Sequence, residues 1–208
     1  MNLELFISTK NTHFFYKQLN SKFYGYLYSV SSINEIKSYL NKLKIEHPNS
    51  SHICYSYRLF DGFNLLRDIN ISEYSNDDGE PRGSAGPPIL KILKRYNMIN
   101  TVTFIVRYFG GKKLGIPGLI EAYSNSSEGL VIKDNLKAWY PTKIIELDYP
   151  YNLEKSLIIL FKSFKAQIKK QIFKESICSI IQLNEIEINN FIKEISKFSS
   201  CKIKNIKS

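Results

Sequence analysis

Two glycine-rich loops, separated by one helical and one extended apolar pattern, constrain this chain more than any other feature. The first runs Asp77-Asp78-Gly79-Glu80-Pro81-Arg82-Gly83-Ser84-Ala85-Gly86-Pro87-Pro88, and the second runs Arg107-Tyr108-Phe109-Gly110-Gly111-Lys112-Lys113-Leu114-Gly115. Glycines in the first loop permit positive φ or close backbone approach, while its prolines fix φ and remove amide donors. Such a segment can be neither a helix interior nor a central strand. Ile89, Leu90, Leu93 and Tyr96 then recur at helical spacing, so Pro87 or Pro88 is expected in a first helical turn. Thr101 to Phe109 predicts a strand with Val102, Phe104, Val106 and Tyr108 on one face and Thr101, Thr103, Ile105 and Arg107 on the other. A second helix is expected from near Pro117, with Leu119, Tyr123 and Leu130 along one stripe.

Both loops carry chemistry. Gly110 and Gly111, followed by Lys112 and Lys113 at a helix start, form a candidate anion cradle, because unpaired amides and the helix dipole favour negative charge there. The spacing matches neither the P-loop nor the dinucleotide fingerprint. In the first loop, Asp77, Asp78 and Glu80 allow two readings. Arg58 and Arg107, on polar faces of neighbouring strands, brace the carboxylates and the loop they organise. Alternatively the three carboxylates hold a divalent cation, since hard oxygen ligands suit magnesium.

The two loops in this order resemble the YigZ/IMPACT family, whose signatures are an Asp-Asp-Gly-Glu-Pro block with a Gly-Thr-Ala-Gly-like turn and an Arg-Tyr-Phe-Gly-Gly block leading to Lys-Leu-Gly. A weaker upstream match is His52 to Arg58. Departures from the pattern are Ser84 for threonine, Ile116-Pro117 for small residues, and Glu121 for a basic residue. The resemblance implies an α+β protein of two domains. Residues 1–138 would form an Impact N-terminal-like β-α sandwich of the ribosomal-protein/GHMP-kinase type with a left-handed βαβ crossover. Residues 139–208 would form a ferredoxin-like domain similar to domain V of elongation factor G. It also implies a role in translational control.

The remaining chain reads consistently with that plan. Thr12 to Gln18 and Phe23 to Val30 predict an antiparallel pair, and Ser32 and Glu35 a capping box opening a helix that Pro48 ends. His52 to Phe60 alternates as a strand, Asp61-Gly62 signals a turn, and Phe63 to Ser75 is a connection with room for a strand. Asp134 to Thr142 breaks the pattern and is expected to be a linker. Beyond it, strand, helix, hairpin, helix and strand patterns give the order β-α-β-β-α-β. Lys169 and Lys170 mark one strand of this half and Lys202, Lys204 and Lys207 another. They either solvate sheet edges against aggregation or contact phosphates.

The net charge is +10 and suits a polyanionic partner, although a chain rich in Lys, Asn and Ile also follows from an AT-rich genome. No apolar run approaches the roughly 20 residues of a membrane helix, and the N-terminus lacks a signal-peptide core, so no membrane partner and a cytoplasmic location are expected. Cys54, Cys178 and Cys201 lack paired metal-ligand spacing, and His13, His47 and His52 are scattered. No nucleophile with an oriented base is visible and no cofactor is implied. The preferred reading is a nonenzymatic protein associated with RNA or the ribosome, or with a translation-related protein, in which Arg107, Gly110, Gly111, Lys112, Lys113, Lys169 and Lys170 serve phosphate. Asp77, Asp78, Glu80 and Arg58 organise the loop or hold metal. The alternatives are a metal-dependent enzyme acting on a phosphorylated or peptide substrate, and a protein-interaction module without RNA.

Overall fold

The computed structural model describes residues 4–66 and 68–207 and divides into two units, Met1–Trp139 and Tyr140–Ser208. In the first, strand β1 (Leu5–Ser8) precedes β2 (Thr12–Gln18) and β3 (Ser21–Ser29), a hairpin whose two-residue turn places Leu19 at φ 52. Helix α1 (Ile33–Glu46) follows. Ser32 caps it by accepting from the Glu35 amide, and the Glu35 carboxylate accepts from the Ser31 amide and hydroxyl, one residue earlier than the capping-box pattern.

Strand β4 (His52–Phe63) runs through Asp61-Gly62 instead of turning there. Gly62 takes φ 80, and the pairing with β5 (Ile69–Asn76) shifts register between Phe60 and Phe63, the mark of a β-bulge. The reversal comes later, where the Asn64 side chain accepts from the amides of Leu66 and Asp68. Helix α2 (Gly86–Arg95) carries proline in its first turn, strand β6 (Thr101–Tyr108) follows, and α3 (Gly115–Glu128) leads to β7 (Leu136–Trp139). Sheet order is β2-β3-β6-β4-β5, antiparallel throughout.

This order makes β6 the central strand, and its two faces have different covers. Val102, Phe104 and Val106 pack with Ile36 and Leu43 of α1, whereas Ile105 packs with Ile89 and Leu93 of α2 and Leu119 and Tyr123 of α3. Seven of its eight residues are therefore buried, which explains why the strand reads as nearly continuous apolar sequence. Arg107 lies on the α2/α3 side and is buried there, a costly position for a charge without a partner.

The expected linker is partly structural. Leu136–Trp139 pairs antiparallel with Leu5–Ser8, and Trp139 packs on Phe60 at 5.2 Å between ring centroids. A four-residue strand with no alternation longer than one turn is invisible to periodicity; its partner lies at the other end of the unit.

The second unit contains β8 (Thr142–Tyr149), α4 (Glu154–Ser163), β9 (Gln167–Phe173), β10 (Ile177–Asn184), α5 (Ile188–Ile195) and β11 (Lys202–Lys207) in the sheet order β11-β8-β10-β9. This is the split βαβ arrangement read from the sequence. Leu157 and Phe161 of α4 and Phe191 and Ile195 of α5 cover one sheet face through Ile145, Leu147, Ile177 and Ile181. Asn184 caps a single 3-10 turn (Glu185–Glu187) that leads directly into α5.

Candidate functional site

The two loops are joined by one buried ionic network. Arg107 leaves β6 toward α3 and donates through Nη1 to Glu80 Oε1 at 2.6 Å; the side chains are 6% and 3% exposed. Tyr123 of α3 donates to the same carboxylate oxygen at 2.8 Å, and Arg107 Nη2 reaches Ser21 Oγ at 3.2 Å. The guanidinium lies 5.6 Å from the ring centroids of both Phe23 and Phe109, a cation–π arrangement strengthened by desolvation. Cys54 completes the cluster, its thiol reaching the Asp77 carbonyl at 3.0 Å and the Tyr123 hydroxyl at 3.3 Å. Burial pushes the Cys54 thiol far above its ordinary pKa; the Tyr123 hydrogen bond opposes this, and the carboxylates of Glu80, Asp78 and Asp77 add to the rise. Burial likewise pushes Tyr123 well up, with Cys54 and Glu80 contributing. Neither group supplies a nucleophile at neutral pH.

The other two carboxylates are spent on backbone amides. Asp77 Oδ1 accepts from Ala85 and Gly86 at 3.0 and 2.8 Å, and its Oδ2 accepts from Gly83 at 2.8 Å. It thereby caps α2 from nine residues away, doing what Ala85 at the cap position cannot. Asp78 Oδ2 accepts from the Ile53 amide at 2.7 Å, tying the loop to β4, and its backbone at φ 43 is held by an Asn76 side-chain bond to its own amide. Both Asp77 oxygens, Asp78 Oδ2 and Glu80 Oε1 are thus engaged by amide, guanidinium and phenol donors. Among the described residues no group of three or more His, Cys, Asp or Glu is arranged to share a metal.

Arg58 departs from the expected bracing of this block. Its Nε pairs with Glu73 Oε1 at 2.9 Å and its Nη1 donates to the Met98 carbonyl at 2.8 Å. Glu73 is its direct cross-strand partner on β5, a neighbour the sequence could not pick out from Asp77, Asp78 and Glu80. Of the two arginines, only Arg107 braces the acidic loop.

The second loop sits where the network ends. Gly110 donates to Ser21 Oγ at 3.3 Å, and Phe109 donates to Ser51 Oγ at 3.0 Å. A Cβ at Gly110 would collide with the Asn20 backbone, so the loop lies directly against the β2–β3 turn. Lys112 and Lys113 are exposed, and α3 opens with no side-chain cap and no acidic residue in its first turn. Glu121, one turn further on, accepts from Gln18. Two further basic residues that sequence reasoning did not single out lie on the neighbouring β2–β3 hairpin. Lys22 pairs in register with Tyr108 and Lys17 with Lys22, both exposed. Directly opposed like charges destabilise a sheet, and none of these four lysines makes an ion pair among the described residues. The register places Lys22 on the face of Tyr108, the α1 side of the sheet, whereas Phe23 and Arg107 face α2 and α3.

In the second unit, Lys169 and Lys170 are exposed on the edge strand β9 beside a register shift in its pairing with β10. Lys202 and Lys204 lie on the opposite edge strand, β11, where Lys204 pairs with Asp148 at 2.8 Å; the Lys207 side chain lies outside the described residues. The lysines thus border both edges of that sheet and form no single patch. No described helix is long and apolar enough to cross a membrane.

Comparison with known proteins finds relatives over both halves of the chain. The model of the Impact N-terminal domain matches residues 19–131. An IMPACT family member of Haemophilus influenzae is 30% identical over 182 residues, covering 86% of this chain and 85% of that protein. The IMPACT family member YvyE of Bacillus subtilis is 40% identical over 111 residues, 53% of this chain and 48% of that protein, so the matched stretch spans less than half of that relative. A crystal structure described as that of a hypothetical protein superposes with a TM-score of 0.59 at 21% identity, covering 96% of each chain, a likeness of fold.

Proposed function

The chain belongs to the IMPACT family, and from that premise we propose that it is a nonenzymatic RNA- or ribosome-associated protein that acts in the regulation of translation. The observation that carries the reading is the exposed pair Lys112 and Lys113 directly before an uncapped helix start. It is an exposed positive surface with no internal counter-charge among the described residues, held in place by a buried pair that spans both motif loops. Lys112, Lys113 and the Gly110-Gly111 amides contact phosphate, and Arg107 acts indirectly, by fixing the loop. The acidic block organises this turn and does not meet the ligand. Lys169 and Lys170 add salt-sensitive affinity from the second unit.

The metal-dependent alternative loses support from the donor set itself, because both oxygens of Asp77 and Oε1 of Glu80 already accept from amides, a guanidinium and a phenol. The test is RNA affinity as a function of salt. Each phosphate contact contributes a slope of about −0.7 for single strands, so Lys112→Ala with Lys113→Ala should weaken binding and flatten the slope by about 1.4. An unchanged slope refutes the assignment. Sedimentation of native lysate at low and high salt, with and without ribonuclease, tests ribosome association: comigration with a subunit that both treatments abolish is expected, and a protein that stays at the top of every gradient refutes it.

A further inference from the structure

Where β3 and β6 meet at Lys22 and Tyr108 is a cavity of about 250 Å³ lined by Asn20, Lys22, Tyr24, Tyr108 and Phe109. We propose that this cavity is a base-stacking subsite for single-stranded RNA, with Phe109 as its platform; the inference rests on the phosphate reading above and adds to it the class of nucleic acid bound.

Four features point to a stacked nucleobase. Phe109 is 49% exposed although seven of the eight strand residues before it are buried, and exposed aromatics next to lysines are the recurrent equipment of single-strand binding. Its position is fixed: its amide is bonded to Ser51, and the Arg107 guanidinium sits over its ring, anchored in turn by Glu80. Such a platform loses little rotamer freedom on binding. The volume falls just below the roughly 300–1,000 Å³ of sites for whole drug-sized ligands, which suits one flat heterocycle. The walls are mixed as a base requires: the rings of Tyr24 and Tyr108, 5.8 Å apart in an edge-to-face pair, and the polar ends of Asn20 and Lys22. An A-form duplex keeps its bases stacked inside and offers no free ring face, so the subsite selects an unpaired strand. Lys22, which lines the cavity and faces Lys17 across the hairpin, supplies positive charge for a phosphate beside the base, and neither lysine makes an ion pair among the described residues.

The same arrangement gives the acidic loop a role in binding. Glu80 holds Arg107, and Arg107 backs the ring of Phe109 from 5.6 Å. The two motifs, 27 positions apart at this pair, form one device in which a buried carboxylate orients an exposed aromatic.

The experiment uses the full chain and an oligouridylate with one internal 2-aminopurine, whose fluorescence is quenched when it stacks on an aromatic ring. Wild type should bind and quench. Phe109→Leu should lose the quench and roughly 5- to 150-fold in affinity, the worth of one base–aromatic stack, with its salt slope unchanged. Phe109→Tyr, which keeps the ring, should behave as wild type. A double-stranded competitor of equal length should displace the probe poorly. Binding by wild type without quenching, or a Phe109→Leu variant that binds and quenches like wild type, overturns the subsite; if Lys112→Ala with Lys113→Ala still flattens the slope, the phosphate reading survives alone. Absence of any RNA binding by wild type overturns both.

Discussion

Glu80→Gln isolates the charge of the buried pair from its hydrogen bonds. Glutamine keeps a carbonyl oxygen that can accept from Arg107 and Tyr123, so what is lost is the negative charge opposite a guanidinium 6% exposed. Removing one partner of a buried pair costs about 3–5 kcal/mol, because the remaining charge is left without compensation. The lower end, about 3 kcal/mol, is expected here, since the hydrogen-bond geometry persists. Arg107 has little to fall back on: among the described residues its Nε is buried without a partner, and beyond Glu80 its donors meet only Ser21. Against a domain stability of about 5–15 kcal/mol the loss is large, and at a urea slope near 2 kcal/mol/M it lowers the unfolding midpoint by about 1.5 M. The assay is urea unfolding followed by the emission of Trp139, the single tryptophan, which packs on Phe60 within the first unit and so reports on that unit. A double-mutant cycle sharpens it. Arg107→Met replaces the cation with an apolar chain between Phe23 and Phe109, and Glu80→Gln in that background should cost much less than alone. A loss below about 1 kcal/mol for Glu80→Gln, the range of a surface ion pair, would refute the claim that this charge pair holds the two loops together.

The two neighbouring glycines should separate by mechanism. Gly110→Ala drives a Cβ into the Asn20 backbone and should cost at least the roughly 1–3 kcal/mol of overpacking, whereas Gly111→Ala meets nothing and carries only the roughly 1 kcal/mol of its φ of 79; equal urea midpoints would refute the close approach. Acid stability should depend on Glu73: burial pushes its carboxyl up, but hydrogen bonds from Lys94 and Arg58 outweigh this and hold it below the ordinary value. A depressed folded-state pKa stabilises above the unfolded value of about 4.3, and that contribution is lost as pH falls through the folded value. Glu73→Gln should therefore flatten the decline in stability below about pH 4.3, as read from Trp139 unfolding curves. The thiols should differ in access: Cys54, fully buried with its pKa pushed far up, should react with a thiol reagent only as the first unit opens, whereas Cys178 and Cys201 are partly exposed, although burial raises Cys201 to about 11. Rapid labelling of Cys54 in native buffer would contradict its place in the network.

Much of this protein was legible in its residues. Apolar periodicity located α1 through its capping serine, β6 through its β-branched run and the β-α-β-β-α-β order of the second unit, because side-chain period is a local consequence of backbone geometry. The two loops showed themselves by the glycines and prolines that no regular element accommodates, and they carried the family resemblance. Partnership is another matter. Arg58 and Arg107 read alike in sequence, each on the polar side of a strand, yet Arg58 pairs with Glu73 and Arg107 with Glu80. The carboxylates of the acidic block divide between a helix cap, a strand amide and a guanidinium, although one acidic run suggested one role. Lys17 and Lys22 meet only through the register of the β2–β3 hairpin, and β7 is a strand only because β1 lies beside it. Periodicity states which way a side chain faces; which charges meet, and which remain without a counter-charge, follows from strand order and register, and these are set by the packing of the whole unit.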